Sequence, residues 1–280
     1  MTTLPSPLAG LRILSLALNL PGPAALMRCR QLGASCSKLE PPAGDPMRHY
    51  SPAAYDEMHQ GIEVATADLK VPEGQALLRE RLAQADILLT SFRPSALRRL
   101  GLAWDDLHAR DPRLCQVAIV GAPGARAEEA GHDLTYQAEL GLVTGLQLPP
   151  TLFADMGGAM QAVEAVLGAA LARAGGQPGR YIEVALAGAA AFLALPRHWG
   201  LTGSGDVLGG RHPGYRVYAC ADGRVALAAL EPHFAQAMGD AAGIAQLEPR
   251  ALAAFFGGRT RAQLEQLAQE RDLPLHTLPA

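Results

Sequence analysis

Residues 11–40 read LRILSLALNLPGPAALMRCRQLGASCSKLE. The run 11–18 is short and apolar and meets Pro21-Gly22-Pro23, the pattern of a buried strand followed by a break. Residues 24–32 read as a helix stopped at Gly33, and 35–39 as a second short strand ending at Pro41-Pro42. Strand, helix, strand is a crossover unit, and a crossover joins parallel strands. The alternation recurs downstream. Residues 63–68 are strand-like, 73–84 helical, 85–90 a strand, 95–100 helical, 105–110 a helical turn or two, and 114–120 a strand. This predicts a doubly wound, mostly parallel, Rossmann-like α/β domain.

Glycine then thickens over 121–131, a loop. Residues 134–146 are open to a helix, 159–174 read as a long Ala/Leu helix closed by Gly175-Gly176, and 181–186 as a strand. From about Arg197 to Pro213 the composition shifts to Gly, Arg and His, which marks a linker. Beyond it, 215–220 and 224–230 flank Asp222-Gly223, a hairpin signal. Residues 232–243 and 252–270 read as helices. The expected organisation is a large α/β domain over 1–197, then a linker and small α+β hairpin-plus-helix domain over 198–280.

Composition bounds the function. The 280 residues are 49% hydrophobic and 18% charged, the profile of a chain that folds. A net charge of −3 argues against a nucleic-acid binder. Lys38 and Lys70 are the only lysines, so a phosphate site must rely mainly on Arg or backbone N–H groups. Cys29, Cys36, Cys115 and Cys220 form no C-x-x-C pair and complete no zinc pattern, so no metal is expected. Residues 1–10 lack the basic start and apolar run of a signal peptide, and the Ala-rich run 184–195 is too short to span a bilayer. A cytoplasmic protein with reduced thiols and no membrane contact is the expectation. No G-x-G-x-x-G joins a strand to a helix and no P-loop is present, so the sheet by itself assigns no nucleotide.

Three places could carry chemistry: His132 in Gly131-His132-Asp133, with Tyr136 one turn on; Asp155, ahead of Gly157-Gly158; and Glu231, in Glu231-Pro232 at the end of the hairpin. Each has a plain structural alternative: a hydrogen-bonded histidine, a helix N-cap, a solvated helix entry.

Taken together, GHDLTYQAELG (131–141), LFADMGGAMQAVEAVLGAALA (152–172) and GYRVYACADGRVALAALEPHF (214–234) resemble the family III CoA-transferases, the CaiB/BaiF type, in their α-methylacyl-CoA racemase branch. The stretch 7–46, TADLK (66–70), ADILLTSFRPSALRRLGL (85–102) and GRYIEVALAGAA (179–190) fit the same family, in order along most of the chain. In the transferase branch, the resemblance makes Asp155 a nucleophile that forms a mixed anhydride with the acyl group. In the racemase branch, Asp155 works with His132, which Glu231 holds. All three residues are present. The resemblance also implies CoA as part of a substrate thioester rather than as a resident cofactor, with Lys38, Arg93 and Arg98 meeting its phosphates and adenosine.

The racemase chemistry needs these residue types. Inverting a 2-methyl centre beside a thioester removes a proton from one face and returns one to the other. Histidine titrates near neutrality, whereas an aspartate must be raised by burial to act as an acid. The enolate oxygen between the two steps needs donors, for which the Gly157-Gly158 start of a helix is the expected source.

Two features depart from the family. Ahead of TADLK it usually carries an asparagine and basic residues that help hold CoA; here the stretch is MHQGIE (58–63). The chain also ends at DLPLHTLPA, where the family continues into a segment that interlocks two subunits. A homodimer is still expected, with Glu231 approaching His132 of the other chain. The readings carried forward are a 2-methylacyl-CoA racemase or epimerase first, a CoA-transferase second, and a non-catalytic shortened homologue or partner subunit third.

Overall fold

The computed structural model describes residues 6–280; residues 1–5, the start of the segment read for a leader, lie outside the described residues. The chain divides into two compact units, Met1–Ala194 and Leu195–Ala280.

The first unit contains, in order, β1 (Arg12–Ser15), α1 (Pro21–Gln31), β2 (Ser35–Glu40), α2 (Met47–Tyr50), α3 (Pro52–His59) and β3 (Glu63–Thr66). It continues with α4 (Pro72–Leu82), β4 (Ile87–Thr90), α5 (Pro94–Arg99), α6 (Trp104–Arg110) and β5 (Cys115–Val120). It closes with α7 (Asp133–Glu139), α8 (Phe153–Ala174), β6 (Tyr181–Ala185) and α9 (Leu186–Leu193). The six strands form one sheet in the order β3-β2-β1-β4-β5-β6, and every pairing is parallel. This is the doubly wound α/β fold, with its switch point between β1 and β4.

Strand alternation feeds both faces. Ile13, Ile87, Leu89, Val117 and Ile119 pack with α1 and α8 on one side. Leu14 and Leu88 pack on the other with Leu78, Leu97 and Leu107, from α4, α5 and α6. Both faces are covered, as an all-parallel sheet requires.

The second unit runs α10 (Leu195–His198), β7 (Tyr215–Cys220), β8 (Gly223–Ala228), α11 (Pro232–Ala242), α12 (Pro249–Gly257), α13 (Arg261–Arg271) and β9 (Leu275–Leu278). Its antiparallel sheet, β7-β8-β9, has its own core of Tyr218, Val225, Leu227, Met238, Leu252, Phe256 and Leu264. Among the described residues, no helix is long and apolar enough to cross a membrane.

Several boundaries differ from expectation for physical reasons. Pro21-Gly22-Pro23 does not break the chain ahead of α1 but forms its first turn, where proline costs no hydrogen bond. The expected helix 252–270 is two helices, because Thr260 opens a new one: the Gln263 N–H donates to its Oγ1 at 3.4 Å, and its own N–H donates to Gln263 Oε1 at 2.9 Å. Cys220 pairs with Gly223, so the hairpin turns on Ala221-Asp222, one residue earlier than expected. The expected helix at 159 starts at Phe153, six residues earlier, which matters for the site.

Candidate active site

The loops that leave the carboxyl ends of β1, β4 and β5 converge over the switch point, where such sheets place their ligands. The Leu18 N–H donates to Ser91 Oγ at 2.9 Å and ties the first two loops together. Below them lies a cavity of about 280 Å³ whose wall includes Asn19, Arg93, Gly121, His132, Tyr136 and Asp155. That volume lies at the lower end of the range for small-molecule sites.

His132 is the N-cap residue of α7 and is exposed. Its backbone is locked by Thr135, whose hydroxyl accepts from the His132 N–H at 3.0 Å and donates to its carbonyl at 2.8 Å. Gly131 has no room for a side chain, because a Cβ there would run into the Tyr136 ring. Tyr136 is thus buried against the backbone, and burial first, then the charge of Asp155, raises its pKa.

Asp133 turns the opposite way from its neighbour, into the protein, and is 5% exposed. Its Oδ1 accepts from the N–H groups of Ala154 (2.7 Å) and Asp155 (3.0 Å), and its Oδ2 accepts from the buried Gln137 side chain. It therefore caps α8 from another helix. Arg173, at the far end of α8, donates to Asp86 at 2.8 Å, so α8 is held at both ends.

Asp155 sits in the first turn of α8, half-buried on the cavity wall. The positive end of a helix favours a carboxylate. Burial opposes this most, Asp133 adds like-charge repulsion, and His132 pulls the other way; the net effect pushes the pKa up from 3.8 to about 6.

A profile of the family described as CoA-transferase family III matches residues 8–278. The chain belongs to CoA-transferase family III. It is 34% identical to the succinyl-CoA–D-citramalate CoA-transferase of Chloroflexus aurantiacus over 182 residues, 60% of this chain and 45% of that one. It is 29% identical to the succinate–glutarate CoA-transferase of Agrobacterium fabrum, over 81% of this chain and 65% of that one. It is 27% identical to human α-methylacyl-CoA racemase, over 81% and 62%. A crystal structure of Rv3272 from Mycobacterium tuberculosis superposes with a TM-score of 0.84 at 26% identity, covering 97% of this chain and 84% of that one. The chain spans less than two thirds of the length of these curated relatives. Transferases and a racemase both stand among them, so membership alone does not favour the racemase branch.

Two expectations for this family III chain need correcting. Lys38 does not offer its charge to a phosphate. Its side chain is fully buried, with Nζ 2.6 Å from Asp45 Oδ2, 3.1 Å from Glu40 Oε1 and 2.9 Å from His59 Nε2. An ammonium has three protons, and three partners receive them. Glu40, Asp45 and His59 would otherwise be grouped as for a metal ion, and Lys38 supplies the cation from the chain itself. Nor do Gly157 and Gly158 open a helix and present free donors. They lie inside α8, where a Cβ at 157 would stand 3.0 Å from Leu193 Cδ1, and one at 158 would run into Leu186. They are the close-approach surface between α8 and α9.

The remaining predicted residues are dispersed. Arg93 is on the cavity wall. Arg98 is largely exposed and lies 3.6 Å from Glu128. Glu231 is exposed at the start of α11, in the second unit. Sequence reasoning missed Asp133 although it stands beside His132; its cue is the acidic residue that closes the G-H-D segment, legible only once α8 is seen to start at 153.

Proposed function

We propose that this protein acts on acyl-CoA thioesters and transfers CoA between carboxylic acids, with Asp155 as the nucleophile. The observation that carries this is a half-buried carboxylate on the cavity wall with a pKa near 6. Above neutral pH such a group is ionised, yet more basic than a solvated aspartate. Its oxygen attacks the thioester carbonyl carbon, the C–S bond breaks, and CoA leaves as the thiolate. The acyl group remains on Asp155 as an anhydride; the thiolate then attacks the Asp155 carbonyl and releases the donor acid. The acceptor carboxylate displaces CoA from the resulting Asp155 thioester to form a second anhydride, and the thiolate takes the acceptor acyl group from it and frees Asp155. Arg93 and Arg98 are proposed to meet the phosphates of CoA, and Tyr136 the thioester end. The relatives named as succinyl-CoA and glutarate transferases make succinyl-CoA and glutarate the first donor and acceptor to try.

A second reading is inversion of a 2-methylacyl-CoA. It is favoured by His132 sharing the cavity with Asp155, since inversion needs two bases around one carbon. On this reading Glu231 holds the imidazole, across a homodimer. A row of exposed apolar side chains on α8 and α9 (Met160, Leu167, Leu171 and Phe192) supports self-association. Light scattering at micromolar concentration tests it: a dimer is expected, and a monomer counts against the pairing.

The two chemistries separate on single variants. Transfer of CoA from succinyl-CoA to glutarate, followed chromatographically, should be lost in Asp155→Ala and largely kept in His132→Ala. If inversion is the reaction, both variants should lose racemisation of both enantiomers of a chiral 2-methylacyl-CoA, each by about a hundredfold or more. Wild-type-like racemisation by His132→Ala would exclude the two-base reading.

A further inference from the structure

Whether CoA is transferred or an α-proton is removed, negative charge develops on the thioester oxygen and needs hydrogen-bond donors. The start of α8 cannot provide them. The N–H groups of Ala154 and Asp155 are taken by Asp133, and that of Met156 by the Leu152 carbonyl at 3.0 Å. The donors must come from elsewhere on the cavity wall.

Asn19, in the loop after β1, has φ of +65°. Among the described residues only Asp272, in the second unit, is another non-glycine residue with positive φ. Asparagine enters this region more readily than most residues, but something must hold it there. Here the support is a buried ion pair: the Asn19 N–H donates to Asp45 Oδ1 at 3.1 Å. Asp45 is 0% exposed, also accepts from the Met47 N–H at 3.0 Å, and is clamped by Lys38. On the other side, Ser91 Oγ accepts from the Leu18 N–H. A charged cluster with no solvent access thus fixes one exposed residue at the cavity mouth. The Asn19 amide itself makes no hydrogen bond among the described residues and lines the same cavity as His132 and Asp155.

We propose, on the acyl-CoA reading above, that Asn19 Nδ2 donates a hydrogen bond to the carbonyl oxygen of the bound thioester. Asn19 is then a substrate-contacting residue, and the Lys38–Asp45 pair holds its backbone in place.

Asn19→Gly tests this cleanly, because glycine keeps the positive φ without strain and removes only the amide. The probe is isobutyryl-CoA carrying ¹³C at the thioester carbonyl, bound to the intact protein and read by isotope-edited infrared difference spectroscopy. In the wild type the bound carbonyl stretch should lie below that of the free ester, and in Asn19→Gly it should return toward the free position. With the melting temperature unchanged, kcat should fall by about a hundredfold, the scale for one such donor, with KM little altered. Ester bound equally in both proteins with the same carbonyl frequency overturns the role of Asn19 and leaves the acyl-CoA reading standing. Failure of the wild type to bind the ester in calorimetry overturns the acyl-CoA reading, and the role of Asn19 with it.

Discussion

At the scale of residues, the two aspartates of the site have separate tasks. Asp133 is spent on backbone N–H groups, and its charge raises Asp155. The rate of CoA transfer should therefore rise with pH along a limb centred near 6, as Asp155 ionises. Asp133→Asn keeps an acceptor oxygen but removes the like charge, so this limb should move to lower pH; an unmoved limb would show that Asp133 does not act on Asp155. The stability effect has the opposite sign. The folded chain holds the Asp155 proton more tightly than the unfolded chain, so its contribution is present in acid and is lost as pH rises from 3.8 to about 6. Asp155→Asn should gain stability relative to wild type across that window, measured by urea denaturation at several pH values. Lys38 illustrates what sequence leaves hidden. The family resemblance makes it a phosphate ligand, and nothing local shows that Asp45 and His59 close around it. Lys38→Met leaves the buried Asp45 without its cation and should cost about 3–5 kcal/mol in the same assay. A loss below about 1 kcal/mol, the range of an exposed pair, would contradict the burial.

At the scale of elements, the central strands were legible because they are short apolar runs that alternate with helices: ILLT at 87–90 and CQVAIV at 115–120 are buried at every position. The start of α8 was not, because its cap is a side chain 21 residues earlier in the chain. With Leu152–Ala154 apolar and two glycines following, the local pattern points to a start at 159, and only Asp133 moves it to 153. Asp133→Ala should therefore fray the first turn of α8. We expect a cost of about 1–2 kcal/mol, the upper range for a cap, and faster amide exchange at 154 and 155 than in Asp133→Asn. The third strand of the small sheet, β9 (LHTL), is short, carries two polar residues, and is defined only by its pairing with β8. α9 is an alanine-rich run whose helical face shows only against the glycines of α8.

At the scale of the whole molecule, the βα alternation and the resemblance over most of the chain led to the parallel sheet and to the family, since both depend on many residues in order. The choice of chemistry depends on few. His132 and Asp155 line one cavity, as either reaction allows, and relatives of both kinds are similar to this chain. What separates the readings is whether Asp155 becomes covalently acylated. The direct measurement is to incubate the protein with succinyl-CoA in the presence of hydroxylamine and to map the peptides by mass spectrometry. A nucleophilic Asp155 predicts a hydroxamate at that residue, formed only with the acyl-CoA present and absent from Asp155→Asn. An unmodified Asp155 in a protein that turns over acyl-CoA and incorporates solvent deuterium at the α-carbon would contradict it.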